Sequence, residues 1–277
     1  MEENRSTQQD KILLFIPAYN CAKQIVRVIA KINSVPVGTF AEVLVLDNQS
    51  KDDTNKAAVD AIRMDSAHLI RIARNRDNYG LGGSHKAAFE YADTHGFTHV
   101  AVLHGDDQGD VFELLPILSS GRHREWDACL GSRFMYGSRT PGYSRFRVLG
   151  NHVFNLLFSA AARRQVTDLG SGLNIFSRNV FADSDIKNFS DDLRFNCYLL
   201  LSLIDKRKSI EFFPITWREE DQISNVRLFS QTVKTLEIVW EYLLRRNKFR
   251  SADHRTTPVK SYEFDIIAST MSSGDGL

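Results

Sequence analysis

Short apolar runs punctuate the first half of the chain, and each stops at a polar or turn-forming residue. They cover 11–16, halted by Pro17; 41–46, halted by Asp47-Asn48-Gln49-Ser50; 68–73; 99–103; and a shorter run at 127–131. Near-continuous Val/Ile/Leu runs of this length predict strands covered on both faces, as in parallel sheets. The segments between them carry helical periodicity at 22–33, 53–64, 83–94 and 111–119. Asp52 and Ser84 stand where N-terminal caps of the second and third helices are expected. Strand and helix alternate, which predicts an open, mostly parallel, Rossmann-like α/β sheet flanked by helices.

The pattern changes after residue 133. An apolar helix with basic ends is expected over 145–164, then a glycine-rich turn and strand over 168–177. A helix over 192–204, a strand over 210–213 stopped by Pro214, and a long amphipathic helix over 226–246 follow. No internal repeat and no Pro/Gly-rich linker divides the body. We therefore expect a flexible N-terminus (1–10), one domain over 11–249 with halves 11–133 and 134–249, and a disordered polar tail over 250–277.

Composition narrows the function classes. Net charge is +1 over 277 residues, so no basic field points to nucleic acid. Cys21, Cys129 and Cys197 are odd in number and widely spaced, with no zinc spacing or disulfide framework, which fits a reducing compartment. No apolar stretch reaches the roughly 20 residues of a membrane span. The expectation is a cytoplasmic protein, soluble or peripheral on the cytoplasmic face of the membrane.

The richest local signal is His104-Gly105-Asp106-Asp107-Gln108, placed directly after Val100-Ala101-Val102-Leu103. Open α/β sheets bind ligands at the carboxyl ends of their strands. Asp106 and Gln108 alternate along extended backbone and can face one point. A carboxylate and an amide oxygen there suit a hard divalent ion that also grips a diphosphate. Two further strand ends, Pro17-Ala18-Tyr19-Asn20 and Asp47-Asn48-Gln49-Ser50, complete one wall of a crevice. The turn 78–84 (Asn-Tyr-Gly-Leu-Gly-Gly-Ser) either presents N–H groups to an anion or packs a helix closely; spacing leaves both open. It lacks the dinucleotide fingerprint, since His85 stands at the third glycine's place, so a nicotinamide dehydrogenase is disfavoured. Arg133 and Arg218 each follow an apolar strand and carry forks suited to phosphate. Asp168 sits beside a flexible turn and Asp192 beside a helix start; either is a candidate base.

These pieces, in order over about residues 11–245, resemble glycosyltransferase family 2, and within it the polyprenyl-phosphate sugar synthases. They are Ile16-Pro17-Ala18-Tyr19-Asn20, Val45 to Ser50, Asn78 to Gly83, His104 to Gln108, Gly131-Ser132-Arg133, Thr167 to Gly172, and Trp217-Arg218-Glu219 with Ser224-Asn225. The resemblance implies a GT-A fold and an inverting, metal-dependent transfer from a GDP-mannose- or UDP-hexose-like donor. It makes 11–133 the nucleotide-sugar half and 134–249 the acceptor half. Pro17, Tyr19, Asn20, Asp47, Asn48, Gly82, Lys86, His104 and Gly105 would contact the donor. Asp106, helped by Gln108, would hold the metal, and Asp106, Arg133, Asp168 and Arg218 would serve catalysis. The chain departs from the family pattern at His104, which replaces the first acid of Asp-x-Asp, at Asn48, which replaces the second acid of an Asp-Asp pair, and at Asn196.

A lipid-phosphate acceptor is already a nucleophilic anion and needs no strong base. A saccharide hydroxyl in cell-surface polysaccharide assembly would need Asp168 or Asp192 as base. A non-catalytic nucleotide-sugar-binding subunit is a third reading. The helices over 145–164 and 226–246 combine apolar faces with arginines, as do helices at a lipid surface, helices packed on a sheet and homo-oligomer contacts.

Overall fold

The computed structural model describes residues 10–62, 66–221 and 228–270, with side chains of 228–231 left aside. Eight strands form one sheet: β1 (Ile12–Ala18), β2 (Glu42–Asp47), β3 (Ile70–Asn75), β4 (His99–Leu103), β5 (Ala128–Ser132), β6 (Leu173–Ser177), β7 (Ile210–Pro214) and β8 (Phe264–Ser269). Their spatial order is β7-β5-β6-β4-β1-β2-β3-β8. β1 pairs in parallel with β2 and β4, β2 with β3, and β5 with β7. β6 runs antiparallel to β4 and β5, and β8 antiparallel to β3. The open, mostly parallel sheet read from the sequence is thus the architecture found.

Nine α-helices accompany the sheet among the described residues: α1 (Ala22–Ile32), α2 (Thr54–Ala61), α3 (Gly80–Thr94), α4 (Leu115–Ser119), α5 (Arg145–Ala162), α6 (Arg178–Phe181), α7 (Phe195–Asp205), α8 (Leu228–Leu244) and α9 (Arg246–Ser251). One apolar layer lies between the sheet and α3, α5, α7 and α8, built on Phe15, Phe89, Phe158, Phe195 and Tyr242. The other lies under α1 and the turn at 111–114, built on Ile16, Ile25, Ile29 and Val43. β1, β2 and β4 bury every residue, which is why they read as unbroken apolar runs rather than alternating ones.

Several expectations shift. β1 runs through Pro17 to Ala18; its ladder with β4 ends at Phe15 opposite Val102, so the missing N–H of Pro17 falls beyond it. Ser84 is not a cap, because α3 already begins at Gly80; its hydroxyl donates to the Gly80 carbonyl. The cap position of α2 is Asp53, whose side chain makes no cap bond; Asp52, one residue earlier, instead accepts from the Thr54 N–H at 3.1 Å and, from α1, the Ala22 N–H at 3.2 Å.

The larger correction concerns 250–277, expected to be disordered. Its described part forms α9's end and β8, an edge strand bound to β3 and closed by Thr270, whose hydroxyl accepts from the Ile70 N–H and donates to the His68 carbonyl. β8 is a short and mostly apolar run, Phe-Asp-Ile-Ile-Ala-Ser, set in a polar surround, and it stays largely exposed; its free energy comes from backbone pairing rather than burial. The expectations for 1–9, 63–64, Ser224-Asn225, 226–227 and 271–277 fall outside the described residues.

Candidate active site

The carboxyl ends of β1, β2 and β4 are knitted together by backbone bonds. The Gly105 N–H donates to the Pro17 carbonyl at 3.0 Å, the Asn48 N–H to Ala18 at 2.9 Å and the His104 N–H to Gly172 at 3.0 Å. A Cβ on Gly105 would lie 3.2 Å from the Pro17 oxygen, so the glycine sets how closely the first and fourth strand ends approach. Asn20, Gln49 and Asp107 all have positive φ, one beyond each of these three strands. Left-handed non-glycine residues cost energy and gather at functional sites.

On the donor side, Asp47 is buried at the end of β2. Its carboxylate accepts from the Ser50 N–H at 3.2 Å and pairs with Arg74 at 3.3 Å. Tyr19 stands exposed at the crevice mouth, and Asn20 is fixed by bonds to Ser50 and Lys51. Asn48 is committed to structure. Its amide donates to Asn78 and its oxygen accepts from Asn75 and from the Tyr79 N–H, tying β2 and β3 to the glycine turn.

The turn itself packs rather than presenting donors. Gly82 and Gly83 give their N–H groups to the Asp191 carbonyl, and a Cβ on Gly82 would fall 2.3 Å from the Ser190 oxygen. Lys86 is buried and spends its ammonium on the Phe189 carbonyl, Asp191 and the Tyr262 hydroxyl. The structure therefore places Gly82, Lys86 and Asn48, all expected at the donor, in contacts that fasten the loop and the C-terminal segment.

The acidic segment divides its two aspartates. Asp107 turns outward onto α1, where Arg27 meets it at 2.6 Å and Lys31 at 2.7 Å. Asp106 stays inside, where burial, with a smaller push from Asp107, raises its carboxyl to about 6. Its Oδ1 accepts from the Gln108 N–H at 3.2 Å, so Gln108 is held beside it. A half-buried carboxylate disfavoured in charged form is what a divalent cation would stabilise. One carboxylate anchor also suits an ion whose remaining ligands arrive with a diphosphate. His104 packs against Gly172 and Trp217, and its buried Nε2 has no hydrogen-bond partner. The residues present thus fit a Mg²⁺- or Mn²⁺-type ion, with Asp106 as its protein anchor.

Arg133 and Asp168, expected as separate groups, meet as one buried pair. Arg133 grips the carboxylate with two guanidinium bonds at 2.7 and 2.8 Å and with its own N–H at 2.9 Å. Burial alone would lower the Arg133 pKa, but Asp168 more than offsets this and holds it charged. The guanidinium lies 5.1 Å from the Phe134 ring and 5.6 Å from Trp217. Arg218 is half-exposed beside the same wall, its N–H on the Gln108 carbonyl and its guanidinium 3.8 Å from Asp110. Asp192 pairs with Arg194 at 2.9 Å; burial would raise its carboxyl, but that arginine brings it below its ordinary value.

Sequence reasoning gave no role to Trp217, which is buried and touches the close approaches at Gly109 and Gly172. Its place directly before Arg218 was the available signal. It also missed Arg74, Arg27 and Lys31, whose partners lie far along the chain.

Comparison with known proteins bears on the family and the fold. The family model "Glycosyl transferase family 2" matches residues 14–184. A glycosyltransferase named AglJ from Haloferax volcanii is 29% identical over 177 residues, which are 63% of this chain and 52% of that protein. The chain thus spans about half the length of that relative. A polyprenol monophosphomannose synthase from Mycolicibacterium smegmatis is 21% identical over 221 residues, 78% of this chain and 80% of that one. Among solved structures, glucosyl-3-phosphoglycerate synthase from M. tuberculosis superposes with a TM-score of 0.59 at 17% identity, covering 84% of this chain and 80% of that one. Its complex with Mn²⁺, UDP-glucose and phosphoglyceric acid gives 0.60 at 17% identity, covering 84% and 79%. These establish a shared GT-A fold.

Proposed function

This chain belongs to glycosyl transferase family 2, and from that premise we propose that it transfers a sugar, with inversion, from a nucleoside diphosphate donor to a polyprenyl phosphate. One observation carries the choice of acceptor. Both candidate bases are ion-paired: Asp168 is clamped by Arg133 and Asp192 by Arg194. A sugar hydroxyl acceptor needs a carboxylate free to take a proton. A phosphate monoester arrives as an anion and needs none.

The surface supports the same reading. α5 fixes the acceptor turn from its inner side, where Asn155 donates to the Thr167 carbonyl next to Asp168. Its outer side exposes Phe146, Leu149, Val153 and Leu156, and neighbouring α8 exposes Leu236, Trp240, Leu243 and Leu244. Exposed Arg145, Arg163 and Arg245 flank these faces. Apolar side chains rimmed by arginine suit the edge of an anionic bilayer, where a polyprenyl chain resides. Among the described residues no helix is long and apolar enough to cross a membrane.

In this reading Asp47 and Tyr19 line the nucleotide pocket and Asp106 with Gln108 holds the ion, while Arg218 faces the diphosphate or the acceptor phosphate. The Arg133–Asp168 pair is a rigid, charge-balanced support for the acceptor side. When bound, Mg²⁺ or Mn²⁺ neutralises charge on the departing diphosphate. A UDP- and GDP-sugar panel with either ion, with and without short polyprenyl phosphate, tests the proposal. Lipid-dependent release of nucleoside diphosphate is expected. Release that ignores lipid but responds to a saccharide would overturn the acceptor, and binding without turnover would favour a non-catalytic subunit.

A further inference from the structure

We propose that Asp10, His99 and His123 form a second cation site, for a divalent first-row transition ion of which Zn²⁺ fits best. It lies at the end of the sheet opposite Asp106. His99 opens β4 while His104 follows its end, so the two sites stand about 17 Å apart along the strand. Asp10 lies two residues before β1, and His123 lies in the single-turn helix Arg122–Arg124.

Among the described residues these three form the only cluster whose ligand atoms come together, all within 4.8 Å of one another. Both imidazoles are buried, with ring centroids 4.8 Å apart and planes at 76°. His123 Nε2 is 2.9 Å from the Asp10 carboxylate. A tetrahedral ion with bonds near 2.0–2.1 Å separates its ligands by about 3.3 Å, so each group need move by about 1 Å or less. Two imidazoles and one carboxylate form an N₂O set that leaves a position for water and prefers Zn²⁺ over the harder ions that suit Asp106.

The Thr98 hydroxyl lies 3.1 Å from His99 Nδ1, the Ile117 carbonyl faces His123 Nδ1 at 3.4 Å, and Arg124 donates to Asp10 at 2.8 Å. The Ile117 carbonyl orients its ring as outer partners of metal-bound histidines do. Arg124 is a competitor: its largely exposed side chain must release Asp10 for the ion to enter. The bound ion would fasten the segment before β1 to β4 and to the turn after α4.

The test uses the full chain carrying Asp106→Asn, stripped with chelator and titrated with Co²⁺ and Zn²⁺. One equivalent of Co²⁺ should give the visible absorption of a four-coordinate site, and Zn²⁺ should displace it and raise Tm. His123→Asn, and separately Asp10→Asn, should weaken Zn²⁺ binding about 100-fold or more. Arg124→Ala should tighten it. Asp10 is part-exposed, so that variant remains informative if His123→Asn does not fold, as circular dichroism of the metal-free chains will report. No Co²⁺ absorption, or a band and Zn²⁺ response unchanged in the Asp10→Asn chain, overturns the site and leaves a plain hydrogen-bonded cluster.

Discussion

Asp106 and Asp107 share a peptide bond and part company at once. The left-handed backbone of Asp107 sends its side chain to Arg27 and Lys31, while Asp106 stays half-buried at the crevice and disfavoured as an anion. Asp106→Asn should therefore lower kcat/KM at least about 100-fold, since a metal anchor supplies several kcal/mol of charge stabilisation. It should also remove the Mn²⁺-induced rise in Tm in the presence of nucleoside diphosphate; a retained rise would show that the ion sits elsewhere. Asp107→Asn should leave metal dependence intact. For the Arg133–Asp168 pair, either single truncation strands a buried charge and should cost about 3–5 kcal/mol. The double variant Arg133→Met with Asp168→Leu should cost clearly less than the sum of the singles. Denaturant unfolding of the four chains checks this, and strict additivity would deny the coupling.

At the scale of elements, α3 and β8 are bound into one arrangement. Lys86 of α3 meets Asp191 and Tyr262, and Tyr262 also bonds Asp191 at 2.7 Å. Deleting 260–277 removes β8 and Tyr262 together. The loss should cost about 3 kcal/mol or more through the weakened buried ammonium, lowering Tm by several degrees. It should also expose the β3 edge to aggregation; light scattering and calorimetry read both, and an unchanged Tm would mean β8 only decorates the sheet. Gly82→Ala is the finer probe, because its Cβ meets backbone at the Ser190 oxygen rather than a flexible tip. Overpacking there should cost about 1–3 kcal/mol and shift the turn that Asn48 and Asn75 hold, so donor affinity should fall with stability.

For the whole molecule, buried imidazoles set the acid limit. His85 lies between Phe15, Phe89 and Phe195, and burial lowers its pKa to about 3. Its folded value is below the unfolded value near 6.5, so its contribution is fully present above pH 6.5 and is lost as pH falls toward 3. Within that window each such group adds a slope of about 1.4 kcal/mol per pH unit. Unfolding free energy measured from pH 7 to 4 should flatten by about that slope in His85→Leu relative to the parent. An identical slope in both chains would place the acid sensitivity elsewhere.

The parallel strands, the three strand-end motifs and the family were legible in the chain because each is local. Apolar runs reveal burial, and motifs at strand ends fall into one crevice by the topology of any open sheet. Which partner each polar group takes was not legible. Asp107 finds Arg27 and Lys31 about 80 residues away, Arg133 finds Asp168, Lys86 finds Asp191 and Tyr262, and β8 finds β3. A carboxylate in sequence looks the same whether it will meet a metal, a base's task or an arginine. Its role depends on the charges and solvent around it, and these are assigned only when distant segments close on one another. The sequence alone determined the layered sheet and the class of chemistry at its edge. The tertiary structure decided which arginines and lysines the other acids take as partners, that Asp106 sits at the crevice with its carboxyl raised, and that the C-terminal segment completes the sheet.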